Sequence, residues 1–281
     1  MKILVAGATG VIGRSLVPLL VQAGHTVSGI TRRAERAESL ERQGAQPLVV
    51  DVFDAEALRT AVAEDRPDIV IHQLTDLSAE DFGANARVRD VGTRNLVEAA
   101  QGAGVETMIA QSIAWVYVPG TTPAVEDDPL DPGVPPYAGI AALEEAVGTM
   151  PRGVVLRYGA LYGPGTWYAP DGAIAERVRD GALSLTPVWT CFVHVDDAAN
   201  AALAALDWPA GPVNIVDDEP ATAEEWLPVY SEAICAPAPG VARHAAEIGR
   251  PVSNAKARGL GWKPTHPTWR TGFAEMGRGE F

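Results

Sequence analysis

The chain opens on an unbroken apolar run, Ile3-Leu4-Val5-Ala6, bounded by a glycine cluster, Gly7-Ala8-Thr9-Gly10-Val11-Ile12-Gly13. Apolar residues then recur at helical spacing, as Leu16, Val17, Leu19 and Leu20, before a second apolar run from Val27 to Ile30. Period and length predict strand, glycine turn, helix, strand. The alternation continues. Gln46 to Val50 reads as a third strand with Asp51 and Val52 at its carboxyl end, and Asp54 is placed to cap a helix bearing Ala57, Leu58, Ala61 and Val62 on one face. Asp68 to His72 forms a fourth strand ending in Gln73-Leu74-Thr75, a long helix covers 85–102, and Thr107 to Gln111 forms a fifth strand. A loop rich in proline and acid, 119–136, leads to a helix over 137–149 and a sixth strand, Gly153 to Tyr158. Further on the pattern loosens: Phe192 to Val195 reads as a short strand, Asp196 as the cap of an alanine-rich helix over 197–206, and 207–281 as short elements broken by proline. Strands alternating with helices predict an α/β fold, a parallel sheet wound on both faces.

The glycine cluster gives that fold a ligand. Between a strand and a helix, Gly7 makes the tight turn, Gly10 lets the backbone approach a pyrophosphate, and Gly13 packs helix on strand. The start of the helix, with Thr9, Val11 and Ile12, presents free N–H groups to the phosphates. A dinucleotide site of the Rossmann type follows. About 20 positions past the glycines an NAD site carries an acid for the ribose 2′-hydroxyl; here stand Arg32 and Arg33, whose guanidinium groups suit a 2′-phosphate. NADP(H) is therefore expected over NAD(H). The competing reading has both arginines opening a solvated helix, since Glu35, Arg36, Glu38, Glu41 and Arg42 follow. Asp51, Val52, Gln73, Leu74 and Thr75 lie at carboxyl strand ends, where open α/β sheets place ligands, and join the cofactor set.

Composition narrows the partners. With 281 residues, 47% of them apolar and 21% charged, the chain can bury a sizeable core. We expect a dinucleotide-binding domain over 1–162, also receiving parts of 190–216, and a small C-terminal substrate lobe made mainly of 163–281. A net charge of −14 argues against nucleic acid and anionic membrane as partners. No apolar run approaches the ~20 residues of a membrane span, and the opening strand with its single lysine is unlike a signal peptide. The two cysteines, Cys191 and Cys235, give neither a disulfide framework nor metal spacing. A cytoplasmic protein acting on a small molecule, with no metal, is the expectation.

With these residues in view, the chain resembles the short-chain dehydrogenase/reductase superfamily in its extended, epimerase/dehydratase-like branch. The likeness rests on the glycine motif, on Asp51-Val52, on Gly92-Thr93-Arg94-Asn95-Leu96, and on Tyr137 opening what resembles the catalytic helix. Arg157-Tyr158 through Leu161-Tyr162-Gly163-Pro164, Phe192-Val193-His194-Val195-Asp196-Asp197 and Leu260-Gly261-Trp262 extend it along nearly the whole chain. The resemblance implies Tyr137 and Ser112 as catalytic residues, and Gln111, Tyr137, Gly159 and Leu161 as further cofactor contacts. It also implies a homodimer through the helices over 85–102 and 137–149, with Val88, Val91, Leu96, Ala138, Ala142 and Val147 as candidate surface; the same residues could instead face the sheet.

The departures bear on the chemistry. Where the family carries Tyr-x-x-x-Lys, this chain has Tyr137-Ala138-Gly139-Ile140-Ala141. The family's Ser/Thr, four residues before the tyrosine of a Val-Tyr pair, falls on Ile113, with Ser112 one residue earlier, and its asparagine after the sixth strand falls on Ala160. A phenol with a pKa of about 10 is a poor base without a cation beside it, yet can still donate a proton. A reductase therefore survives the loss of lysine better than an epimerase. Three readings stand: an NADP(H)-dependent oxidoreductase on a small carbonyl or alcohol with Tyr137 as proton donor; a non-redox isomerase, cyclase or lyase that keeps the cofactor site; and a redox sensor without catalysis. Asp76, Trp115, Tyr162, Trp167, Tyr168, Trp189 and His194 are candidates for the substrate pocket, and their aromatic weight favours an aromatic or polycyclic substrate. For each, core packing is the rival reading. Glu144, two turns along the helix from Tyr137, is expected to lie away from the reaction.

Overall fold

The first apolar run forms β1 (Lys2–Ala6), buried from Ile3 onward as a strand covered on both faces must be. The computed structural model describes residues 1–77, 82–242 and 249–279. After β1 come α1 (Val11–Gln22), β2 (Thr26–Thr31), α2 (Ala37–Arg42) and β3 (Gln46–Val49). Then follow α3 (Ala55–Asp65), β4 (Ile69–His72), α4 (Phe82–Arg87), a π turn (Val88–Gly92), α5 (Thr93–Gly102), β5 (Thr107–Ile113), α6 (Tyr137–Gly148) and β6 (Arg152–Tyr158). Asp54 caps α3 as expected, accepting from the Ala57 N–H at 3.0 Å, and the helix ends where Arg66 turns left-handed.

The strands of the main sheet lie in the order β11-β6-β5-β4-β1-β2-β3, with β11 at Gly211–Ile215. β1 pairs in parallel with β2 and β4, β2 with β3, and β4 with β5. The order reverses between β1 and β4, the switch point at which open α/β sheets bind ligands beyond their carboxyl ends. The α/β class and the Rossmann-type sheet expected from the sequence are present.

The chain divides into two compact units, Met1–Ser112, Pro132–Leu156 and Ala199–Pro212 forming the first, and Ile113–Asp131, Arg157–Ala198 and Val213–Phe281 the second. The first is built on an aliphatic core that includes Leu4, Leu58, Val70, Leu96, Met108 and Leu143, which joins β1, β4 and β5 to α3, α5 and α6. The second has an aromatic core of Tyr162, Phe192, Trp226, Tyr230, Trp269 and Phe273. Its elements are β7 (Ala160–Tyr162), α7 (Ala173–Arg179), β8 (Ser184–Leu185), β9 (Trp189–Thr190), β10 (Phe192–His194), α8 (Val195–Ala204, whose last residues return to the first unit), β12 (Ala221–Thr222), α9 (Ala223–Ala233), β13 (Gly240–Val241), α10 (Ala255–Gly259) and α11 (Trp269–Gly277).

Beyond shifts of one residue at strand ends, these details differ from the expectation. The helix expected over 85–102 begins at Phe82 and carries the π turn in its middle. β5 runs two residues further, to Ile113. Asp196 does not cap its helix: α8 starts at Val195, and the Asp196 N–H donates to His194 Nδ1 at 3.2 Å.

Candidate functional site

The turn after β1 is built by its glycines. Gly7 has φ +91°, and a Cβ there would stand 2.6 Å from the Gln73 backbone, so this position holds the loop against the end of β4. A Cβ at Gly13 would meet the Gly7 carbonyl oxygen at 2.3 Å, which fixes the distance of α1 from the loop. Gly10 is different: a Cβ would meet only the Gly7 oxygen, at 3.1 Å. The protein itself does not fill the space over Gly10. Gly10 also stands at the head of α1 with no side-chain cap and no acid in the first turn. An open surface of uncapped N–H groups at a helix start fits an anionic diphosphate.

The other residues expected at the site have the following surroundings. At the end of β2, Arg32 and Arg33 are exposed, and Arg32 Nη2 lies 3.5 Å from Asp76 Oδ2. Arg36, which the sequence reading left to a solvated helix, reaches back so that its Nη1 donates to Thr9 Oγ1 at 3.2 Å. Arg36 thus reaches the glycine loop, and Arg32 the segment that follows β4. Asp51 accepts from the Phe53 N–H, Val52 is buried, and Asn95 Nδ2 donates to the Val52 carbonyl at 2.8 Å. Asn95 stood in a recognised motif, but its contact spans 43 residues and has no local signal.

The end of β4 is held by a residue the sequence reading missed. His72 is fully buried, and the Leu74 N–H donates to its Nδ1 at 3.1 Å. The ring proton is therefore on Nε2, which donates to Thr93 Oγ1 at 2.9 Å; that hydroxyl donates in turn to the Val88 carbonyl. Burial, with the nearby Arg89 charge second, pushes His72 down to about 4. A neutral imidazole thus shapes Gln73-Leu74-Thr75, the segment against which Gly7 packs.

Tyr137 is the first residue of α6 and half-buried, and Ala141 follows one turn along. Ser112 is buried at the end of β5 beside Gln111, and its hydroxyl donates to Glu144 Oε1 at 2.7 Å. Glu144, seven residues after Tyr137, shares its helical face. The carboxylate set aside in the sequence reading is thus the partner of a residue named there as catalytic.

The second unit holds the remaining candidates. Gly159 donates its N–H to the Ile215 carbonyl, and Leu161 is half-buried on β7, paired with Val193. Tyr162 is fully buried, its ring edge-on to Phe192, Phe273 and His194. Tyr168 packs edge-on against Phe192, Trp226 and Tyr230. His194 is buried and stacks on His266 at 3.8 Å between centroids; burial, then the His266 charge, carries it down to about 4. Tyr117 donates to Asn214 Oδ1 and accepts from Arg157 Nη1, both at 2.7 Å. Trp167 and Trp189 are half-buried, whereas Trp115 is 49% exposed between the buried Ala114 and Val116.

Comparison with known proteins gives the arrangement its context. The family model described as the NAD dependent epimerase/dehydratase family matches residues 3–216. The chain is 44% identical to a Streptomyces protein named 3-diazoavenalumate denitrifying reductase, over 97% of this chain and 99% of that one. It is 29% identical to a Stigmatella aurantiaca 4-hydroxy-2-methyl-3-oxo-4-farnesyl-3,4-dihydroquinoline-1-oxide ketoreductase, over 78% of this chain and 68% of that one. Among solved structures, the Thermus thermophilus UDP-glucose 4-epimerase in complex with NAD is similar at a TM-score of 0.79 and 30% identity, covering 100% of both chains.

Proposed function

The chain belongs to the NAD dependent epimerase/dehydratase family and is a nicotinamide-dependent enzyme of the oxidoreductase and epimerase kind, and from that premise we propose an NADP(H)-dependent reductase that replaces a diazo group by hydrogen. The observation that carries the reading is a glycine cradle in a chain that has Ala141 and Ile113 where the family handles protons, and that is 44% identical over 97% of its length to a protein named 3-diazoavenalumate denitrifying reductase.

The residues divide the work as follows. The Gly7–Gly13 loop and the head of α1 receive the diphosphate; Arg32, Arg33 and Arg36 take the 2′-phosphate; Asp51 and Val52 line the adenine; Gln73 to Thr75 and Gln111 border the rest. A nicotinamide bound there supplies a hydride. Reducing a ketone needs that hydride and a proton as well, so an acid must stand at the oxygen. Replacing a diazonium nitrogen needs no net proton: R–N2+ and H− give R–H and N2. The departures that weaken this chain as an epimerase leave such a reaction untouched.

One observation favours a second reading. Tyr137 is retained at the head of α6, and a relative is named a ketoreductase; with Tyr137 as proton donor the same site would reduce a small carbonyl. We further place the protein in the cytoplasm, where the nicotinamide pool is. A homodimer would use the exposed side of the 82–102 run and α6 at Val91, Ala138 and Ala142, since Val88, Leu96 and Val147 are buried inside the first unit.

The test offers NADPH with an arenediazonium carboxylate and, separately, a panel of ketones, following nicotinamide absorbance and released N2. The expected result is one N2 per NADPH consumed, and turnover within about threefold of wild type in Tyr137→Phe, because no general acid is lost. A fall of about a hundredfold or more in that variant, with ketones consumed instead, would establish the second reading. NADPH should bind at least about tenfold (~1.4 kcal/mol) more tightly than NADH. Binding of neither dinucleotide sinks both readings.

A further inference from the structure

Arg89 is an unusual residue in this fold. It lies in the π turn, is 6% exposed, and among the described residues its guanidinium has neither a hydrogen-bond nor an ion-pair partner. A buried cation without a counter-charge is costly to keep. Burial lowers Arg89 only to about 10, so the charge is present at neutral pH. π turns of a single turn within a helix occur frequently at functional sites.

Its surroundings fix where that charge is. α6 packs on the π turn at Gly139: a Cβ there would stand 3.5 Å from Arg89 Cβ and 3.4 Å from Ala86 Cα. Gly139 is two residues past Tyr137 and two before Ala141. On the other side the Arg89 charge acts on His72, whose Nδ1 holds the Leu74 N–H at the end of β4. Arg89 therefore stands against the first turns of α6, close in sequence to Tyr137, with its charge felt by the histidine that holds the end of β4. Position 141 is alanine where the resemblance implies lysine, and a buried guanidinium stands in the π turn packed on the same helix.

We propose that Arg89 is an oxyanion-binding residue of the site, its guanidinium receiving a carboxylate or phosphate of a bound ligand beside Tyr137. This rests on reading the cradle as a nicotinamide dinucleotide site. The oxyanion has two sources, a phosphate of the cofactor or a carboxylate of the substrate. A planar, forked donor set matches either.

The experiment compares wild type, Arg89→Met and Arg89→Lys by thermal denaturation without ligand, calorimetric titration with NADPH, and titration of the NADP+-saturated proteins with benzoate. Removing an unpartnered buried charge should leave apo Arg89→Met at least as stable as wild type. NADPH affinity falling about ten- to a hundredfold in Arg89→Met, with part of it recovered in Arg89→Lys, supports the proposal with the cofactor as source. Unchanged NADPH affinity with benzoate binding lost in Arg89→Met supports it with the substrate as source. The proposal is overturned if Arg89→Met is markedly less stable or fails to fold, because the guanidinium then serves the fold. It is equally overturned if the variant folds and matches wild type toward both ligands, including a wild type that ignores benzoate. A wild type that binds no NADPH defeats the cradle reading itself, an outcome visible before any variant is made.

Discussion

Replacing His72 by leucine tests how the cradle is held. The imidazole is fully buried, accepts from the Leu74 N–H and donates to Thr93 Oγ1. Leucine fills most of the space and satisfies neither group. Each buried polar group left without a partner costs about 1–3 kcal/mol, so His72→Leu should lose about 2–5 kcal/mol near pH 7.5. The pH dependence is a second, independent signature. Burial, aided by Arg89, holds the folded-state His72 at about 4 against an ordinary 6.5. Its contribution is therefore complete above 6.5, where both folded and unfolded chains are neutral. It is lost as pH falls towards 4, because only the unfolded chain gains the proton; the loss amounts to about 3 kcal/mol. Denaturant unfolding followed by circular dichroism at about pH 7.5 and about pH 4.5 reads both effects. Wild type should lose about 2.5 kcal/mol more than His72→Leu between those two conditions. Equal losses would refute the neutral buried imidazole, and a variant as stable as wild type near pH 7.5 would refute the hydrogen-bond assignment. Because Leu74 adjoins Gly7, NADPH affinity should also drop in His72→Leu where the variant is still folded.

The glycines separate fold from ligand. Gly13→Ala should abolish soluble expression, since its Cβ would meet backbone oxygens at 2.3 and 2.5 Å, whereas Gly10→Ala should keep its Tm and bind NADPH about tenfold or more weakly; a Gly10→Ala that binds like wild type would contradict the cradle. In the second unit, Asp197 is fully buried and accepts from Thr265 N, Thr265 Oγ1, His266 N and His266 Nδ1. Burial works to raise its carboxyl, but these donors prevail and hold it below 3.8, while the bond to Asp197 raises His266 above 6.5. The Asp197 contribution is present above about 4 and fades as pH falls; the His266 contribution is present below about 6.5 and fades as pH rises through its folded value. Asp197→Asn should therefore be most destabilising between those values, by about 2–4 kcal/mol, in a Tm profile across pH; a uniform offset at every pH would count against the pair.

What could be read from the chain depended on how local the physics was. The glycine turn was legible because Gly7, Gly10 and Gly13 act on neighbours within a few residues and on one adjacent strand end. The α3 cap was legible for the same reason, through Asp54 and Ala57. Partners far apart in sequence were not: Ser112 and Glu144 are 32 residues apart, and Arg36 and Thr9 are 27. The aromatic candidates pose a different problem. Rings at strand ends suit a pocket and a core equally well, and only burial separates them, sending Tyr162 and Tyr168 into the core of the second unit and leaving Trp115 exposed.

The burial of Arg89 is legible in the sequence. The residue stands four residues before Thr93 and seven before Leu96, both fully buried, so helical periodicity alone puts it on the inward face. A charged side chain on the buried face of an amphipathic helix contradicts the pattern that defines the helix. Such a conflict between local and global preference is expected where function, not folding, selects the residue. The adjoining Gly92-Thr93-Arg94-Asn95-Leu96 resembles a motif of the family, and such motifs carry what the family shares. The chemistry particular to this chain lies in what is not shared. Here that is an alanine where a cation belongs, and a cation where helical packing alone calls for an apolar side chain.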